Sequence, residues 1–488
     1  MSLKKTAIDG SKWTAVGTVG KALMQVLQVV VLTRFLAKAD FGVFTLSLFI
    51  VNFFQILSDF GFNSSLMHQQ KISKQQFSSL YSLNLIVATA LFVILLTLVP
   101  FVANFYCNKE LILLIPIHAS ILFLNSIGKY HRLMLHKSFQ FKLLNQVELI
   151  SFFIGLVAAI IAAIVGLGVY SLVIAALLTA FVANISFYIL NYKEFRFAFR
   201  LQISEVKPFL RVGGFHMGSS ILDFLSKEID VMIIGKLLGN DLLGVYSLIK
   251  QIVIKVFSMI NPIMMNVIIP IFSSIQSDIT RLNKIYKKLV NYASFVNLPV
   301  YALMIFCSTE LLEILYGKDY QTYGLVLSFM AFTYFIISIF NSVGSLQIAT
   351  GRTDLGFKWT IIRFLATPLV IYFAAQISLV AVAASYSMLF VLFVIPIWKI
   401  QLQPMIGIGL VELIRKFIQP FLAISIVLIV SFYFNEWQIS NNVFLNLFVK
   451  AIFVGLYVFL FGFFFERRLG KEVIQKGSEV LLTKLRKF

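Results

Sequence analysis

RFLAKADFGVFTL, from Arg34 to Leu46, comes back 202 residues later as KLLGNDLLGVYSL, from Lys236 to Leu248. Each copy opens with a basic residue, two apolar residues and a small one, and each closes on Gly-Val-aromatic-Thr/Ser-Leu. Each lies where one apolar run ends and the next begins, so the repeated unit is a turn between two long apolar segments. Farther on, Gln140-Phe141-Lys142 pairs with Gly356-Phe357-Lys358 at a shift only 14 residues larger, as expected of copies that differ by loop insertions.

The flanking runs are too apolar for a soluble chain. Of 488 residues, 59% are hydrophobic and 13% charged, with a mean hydropathy of +0.91, whereas a soluble domain carries about 45–50% apolar residues. A helix needs about 20 apolar residues to cross the hydrocarbon core, and runs of that length broken by Gly, Pro, Asn or charge number fourteen. They are 12–36, 41–66, 78–103, 111–131, 144–166, 168–191, 211–236, 241–270, 288–314, 322–349, 358–376, 378–399, 414–434 and 444–465. The first runs on to about Leu36, beyond the length of a signal-peptide core, and is expected to be a retained helix. The longest hydrophilic interior stretch is only Tyr192 to Phe209, so the helices are themselves the domain. The two cysteines, Cys107 and Cys307, lie in or beside apolar runs and read as apolar fillers rather than a disulfide framework or a metal cluster.

The cations segregate to alternate ends of these spans. Most of the 41 Lys and Arg fall at the N-terminus (Lys4, Lys5, Lys12), at the span ends and loops around the turns that follow even-numbered spans (Lys71, Lys129, Arg132, Lys193, Arg281, Arg352, Arg363, Arg415) and after the last span (Arg467 to Lys487). The opposite ends hold only Arg34, Lys38, Lys109, Lys236 and Lys318. The positive-inside rule then puts both termini in the cytoplasm and requires an even number of helices. The net charge of +20 reads as a topology signal facing anionic lipid, not as a nucleic-acid surface. Both copies of the repeated turn follow an odd-numbered span and so share one orientation. The expected fold is an all-α membrane protein of about 14 transmembrane helices, with two parallel six-helix lobes, 1–200 and 201–402, around a central cavity. Residues 403–466 add two helices, and 467–488 form a basic cytoplasmic tail.

On these residues the chain resembles a known family. RFLAKADFGVFTL and DVMIIGKLLGNDLLGVYSL, from Asp230 to Leu248, are similar to the signatures of the polysaccharide transporters, the Wzx-type O-antigen and exopolysaccharide flippases of the multidrug/oligosaccharidyl-lipid/polysaccharide exporter superfamily. The likeness covers essentially the whole chain. It departs at Ala39, where many relatives carry Pro, a change expected to alter only the stiffness of the turn. The resemblance implies a bacterial inner-membrane flippase that moves a polyprenyl-pyrophosphate-linked oligosaccharide outward by alternating access. It further implies a monomeric transport unit, polysaccharide assembly machinery as a partner, and no cofactor beyond a coupling proton or sodium ion.

The residues carry a second, independent argument. An ionisable group in hydrocarbon costs at least about 2.5–3.5 kcal/mol and is normally turned toward protein or a wet cavity. Lys21, Lys227, Lys250 and Lys255 fall within spans and read as cations lining the cavity for an anionic headgroup. Asp223, Lys227 and Asp230 share one helical stripe, with Lys227 between two carboxylates. Asp59, Asp223 and Asp230 are the candidates for coupling or gating. The competing reading is structural: an internal pair for Asp223 and Lys227, packing of the turn for Asp230, a solvated helix end for Asp59 and Glu148. Lys450 is expected to snorkel to the interface, and His118 to be buried for packing.

No GxxxxGK[ST] loop, HExxH or close-spaced His/Cys cluster occurs, which argues against ATP hydrolysis through that loop and against a metal site. Nor is there a long outward loop carrying the paired acids of a membrane glycan polymerase or glycosyltransferase. A drug or organic-ion exporter of the same superfamily is the alternative transporter, and it would favour acidic and aromatic cavity residues over an excess of lysines.

Overall fold

In a bilayer every backbone N–H and C=O must be satisfied within the chain, and for runs this long and apolar the α-helix does so. The computed structural model describes residues 3–59, 73–192, 199–434 and 440–465, and no strand occurs among the described residues. Lys71, Lys193 and Arg196 of the loops expected to be cytoplasmic, and the expected basic tail 467–488, lie outside the described residues.

The main helices are α1 (Leu3–Leu32), α2 (Lys38–Asp59), α3 (Lys74–Phe105), α4 (Leu111–Ala119), α5 (Ile121–Lys137), α6 (Phe141–Ile164), α7 (Tyr170–Asn191), α8 (Ile203–Leu237) and α9 (Gly239–Ser274). They continue with α10 (Ile279–Phe306), α11 (Ser308–Tyr316), α12 (Gly324–Phe340), α13 (Ser342–Thr350), α14 (Thr353–Ala375), α15 (Leu379–Leu392), α16 (Leu410–Phe434) and α17 (Val443–Phe465). Among the described residues, thirteen helices are long and apolar enough to cross a membrane. The expected seventh span, 211–236, lies in α8, where Asp223, Lys227, Glu228 and Asp230 crowd about two turns, and α8 is not one of the thirteen.

Local chemistry sets several helix ends. Ser73 and Gln76 form a reciprocal capping box at the start of α3, and the Asp278 carboxylate accepts the Arg281 N–H at the start of α10. Gly351, at φ 69°, ends α13 in the left-handed conformation that glycine adopts without strain. α9, α10 and α14 run through Pro262, Pro270, Pro299 and Pro368 without ending, as membrane helices tolerate when neighbours re-satisfy the freed carbonyls.

The chain divides into two compact units. The first comprises residues 1–248 with 360–379. Within it α7 packs on α5 and α6, α1 lies along α6, and α2 packs on α8. The second comprises 249–359 with 380–488. There α10 is the hub, packed on α12, α16 and α17, with α17 also against α11.

Candidate functional site

In the first unit, α8 presents Asp223, Ser226 and Lys227 on one stripe, as the four-residue and three-residue spacings require. Lys227 Nζ donates to Asp223 Oδ2 at 2.6 Å. The other carboxylate oxygen, Oδ1, accepts from Arg363 Nη2 at 2.9 Å. Arg363 Nη2 and Nε also reach Ser226 Oγ, at 2.6 and 3.2 Å. The Ser226 hydroxyl in turn donates to the Asp223 carbonyl at 3.0 Å, which turns its lone pairs toward the guanidinium. One carboxylate thus serves two cations. Beside it is a cavity of about 410 Å³ lined by Ile56, Ser219, Ser220, Asp223, Phe224, Lys227 and Glu228, within the range of about 300–1,000 Å³ common for ligand sites.

Arg363 corrects the charge ledger. Read as an inward-end topology residue, it lies ten residues into α14, about 15 Å from Thr353 at 1.5 Å per residue. α14 begins five residues before the expected span start at 358, and that shift sets Arg363 near the middle of the helix.

The other charged and titratable candidates have separate partners. Lys21 on α1 pairs with Glu148 on α6, and Glu148 also receives Arg132 from α5, at 2.7 Å from Nη2 and 2.8 Å from Nε. Asp59, at the last residue of α2, pairs with Lys129. Asp230 is buried and accepts the Tyr246 hydroxyl at 2.6 Å and the Val231 N–H at 2.9 Å. His118 is buried, hydrogen-bonded to Ser47 at 2.8 Å and stacked on Phe44.

The second unit holds Lys250, buried, and Lys255, half-buried, both on α9. It also corrects the expectation for Lys450. That side chain does not snorkel: the residue is 0% exposed and donates to Glu310 Oε1 of α11 at 2.6 Å. A lysine snorkels when water is the nearest partner for its charge; here a carboxylate 140 residues away in sequence is nearer. Sequence reading passed over Glu310, Ser226 and the role of Arg363. The available signal for Arg363 was its position inside an apolar run.

The repeated turns meet each other. A Cβ on Gly42 would lie 1.9 Å from the Asn240 carbonyl oxygen, and a Cβ on Gly244 would lie 1.9 Å from that of Lys38. Lys38 and Asn240 occupy the same place in the two copies, as do Gly42 and Gly244. The contact is therefore reciprocal, each copy's glycine seated against the other's backbone, an approach that only a residue without Cβ allows.

Among the described residues no group of three or more His, Cys, Asp or Glu side chains is arranged to hold a metal, and both cysteines are free thiols.

Known proteins are similar to this chain in sequence or in fold. The chain is 27% identical over 433 residues to the teichuronic acid biosynthesis protein TuaB of Bacillus subtilis (strain 168), covering 88% of this chain and 89% of that one. It is 24% identical over 433 residues to the lipopolysaccharide biosynthesis protein WzxC of Escherichia coli (strain K12), covering 88% of each. Among solved structures it resembles the lipid II flippase MurJ in an inward closed conformation, with a TM-score of 0.73 and 15% identity over 93% of this chain and 98% of that one. This likeness establishes the fold. The family model described as polysaccharide biosynthesis protein matches residues 31–325, a stretch that contains both copies of the repeated turn and bears out the resemblance read from them. The chain is a multi-pass, all-α membrane protein that belongs to the polysaccharide biosynthesis protein family.

Proposed function

We propose that the protein is a flippase that moves a polyprenyl-pyrophosphate-linked oligosaccharide across the bacterial inner membrane by alternating access and carries out no covalent chemistry on it. The observation that carries this reading is the Arg363–Asp223–Lys227 cluster beside a cavity, midway along two long helices. Charge at that depth is expensive and is retained where it lines a path, and a pyrophosphate needs cationic partners. The names of TuaB, a teichuronic acid biosynthesis protein, and WzxC, a lipopolysaccharide biosynthesis protein, agree with a glycan precursor as cargo.

In this reading both termini are cytoplasmic, two six-helix lobes, 1–200 and 201–402, flank the path, and the lipid tail stays in the bilayer. The reciprocal Gly42–Asn240 and Gly244–Lys38 packing then lies at the outward ends of the spans and forms the seal of an inward-open state. Lys21, Lys250 and Lys255 add positive charge along the path; Asp59 and Asp230 act at the gates. A proton or a sodium ion supplies the coupling, the transport unit is a single chain, and polysaccharide assembly machinery takes the product on the far side. An exporter of cationic drugs is disfavoured by the excess of intramembrane lysines.

The test is to delete the gene, complement it with wild type, and replace Lys250 and Lys255 singly with Ala and Arg. Surface glycan is expected to vanish on deletion, return with wild type, fall by about tenfold in each Ala variant and recover in part with Arg. Undiminished surface glycan in the deletion strain would refute the function, and full glycan in both inserted Ala variants would refute the role of these lysines.

A further inference from the structure

One carboxylate with a cation on each oxygen is an unusual way to furnish an anion site, because Asp223 occupies the donors that a headgroup would use. The three groups are not equivalent. The Arg363 side chain is 14% exposed, whereas those of Lys227 and Asp223 are 56% and 44% exposed. Arg363 is also held independently of the Asp223 carboxylate, by two hydrogen bonds to a Ser226 hydroxyl whose own proton is committed to the Asp223 backbone carbonyl. The guanidinium therefore stays aimed when the carboxylate turns away. Ser219 and Ser220 line the same cavity and supply further hydroxyl donors.

We propose that Asp223 is a displaceable counter-ion: it neutralises Arg363 and Lys227 while the site is empty, and a diphosphate headgroup takes its place on them. This inference rests on the flippase reading and deepens it by naming the part of the cargo that is recognised. Two neighbouring cations within a membrane protein are costly without a counter-ion, so the empty protein needs Asp223. A loaded site needs it to leave. Its return to Arg363 and Lys227 then competes with the bound diphosphate and speeds release, as transport requires of a site that must bind and let go.

The consequence has a definite sign. Removing the charge of Asp223 tightens binding and slows transport, whereas a carboxylate that merely held Arg363 in place would, once removed, weaken both.

The test uses the full-length protein in lipid nanodiscs, with farnesyl diphosphate as the probe, farnesyl monophosphate as the comparison and thermal unfolding as the fold control. D223N, or D223S if the first does not fold, is expected to bind the diphosphate about tenfold more tightly than wild type, and R363Q about tenfold more weakly. R363K is expected to recover part of that loss, and the monophosphate to respond less to each change. In cells D223N is expected to lower surface glycan despite its tighter binding. Weaker or unchanged binding in both folded Asp223 variants, or no diphosphate binding by wild type, overturns the proposal. Surface glycan lost on deletion and restored by wild type leaves the flippase reading standing in either case.

Discussion

Glu310 holds Lys450 in a place where neither charge has access to water. Burying an ion pair rarely adds stability over apolar residues of the same shape, but removing one partner is severe, about 3–5 kcal/mol, because the other charge is left uncompensated. The second Glu310 oxygen, Oε2, is buried with no hydrogen-bond partner among the described residues, so the carboxylate has little to fall back on. K450A is therefore expected to lower the thermal unfolding temperature of the purified protein sharply, and the double variant K450M/E310L to restore most of it. Equal losses in the single and double variants would mean that the pair is not what anchors α17 to α11. Charge spacing along one helix finds partners three or four residues apart, such as Asp223 and Lys227. It is blind to partners such as Lys450 and Glu310, or Arg363 and Asp223, that only packing brings together.

At the scale of elements, the apolar runs were readable because a bilayer leaves long hydrophobic segments little choice but to be helices. Their ends were less so. The start of α14 at Thr353 instead of 358 is a small boundary error, yet it moves Arg363 from an interfacial topology signal to the middle of a helix. The repeated turn was readable as a repeat, and its resemblance to a family followed. That the two copies touch was not, because a duplication states which residues correspond and not which ones meet. With the contact in view, Gly42 and Gly244 acquire a shared role. An alanine at either would push α2 and α9 apart at their first turns, with an expected penalty of about 1–3 kcal/mol for overpacking. Since both report on one interface, G42A/G244A is expected to be less than additive, with surface glycan falling in each single variant to a similar degree. Thermal unfolding and glycan display check this together; an additive double, or normal glycan in both singles, would separate the two glycines.

For the whole molecule, composition excluded a soluble enzyme and the charge ledger proposed an orientation, while the partners of the cations within the spans depended on tertiary structure. Lys21 and Lys227, named from sequence, do carry carboxylate partners, Glu148 and Asp223. Sequence reading could not see that each carboxylate is shared with an arginine, Arg132 in one case and Arg363 in the other. For these two lysines the sequence inventory thus becomes two clusters, each with an acid at its centre. The proposed function is movement of a lipid diphosphate past these clusters. Its most direct measurement is transbilayer movement of a fluorescent polyprenyl-diphosphate oligosaccharide in proteoliposomes, with proton, sodium and potential gradients imposed in turn. Wild-type protein is expected to expose the label to an external quencher under at least one gradient and R363Q to slow that exposure by about tenfold; failure of wild type under every gradient, or full speed in R363Q, would contradict the account.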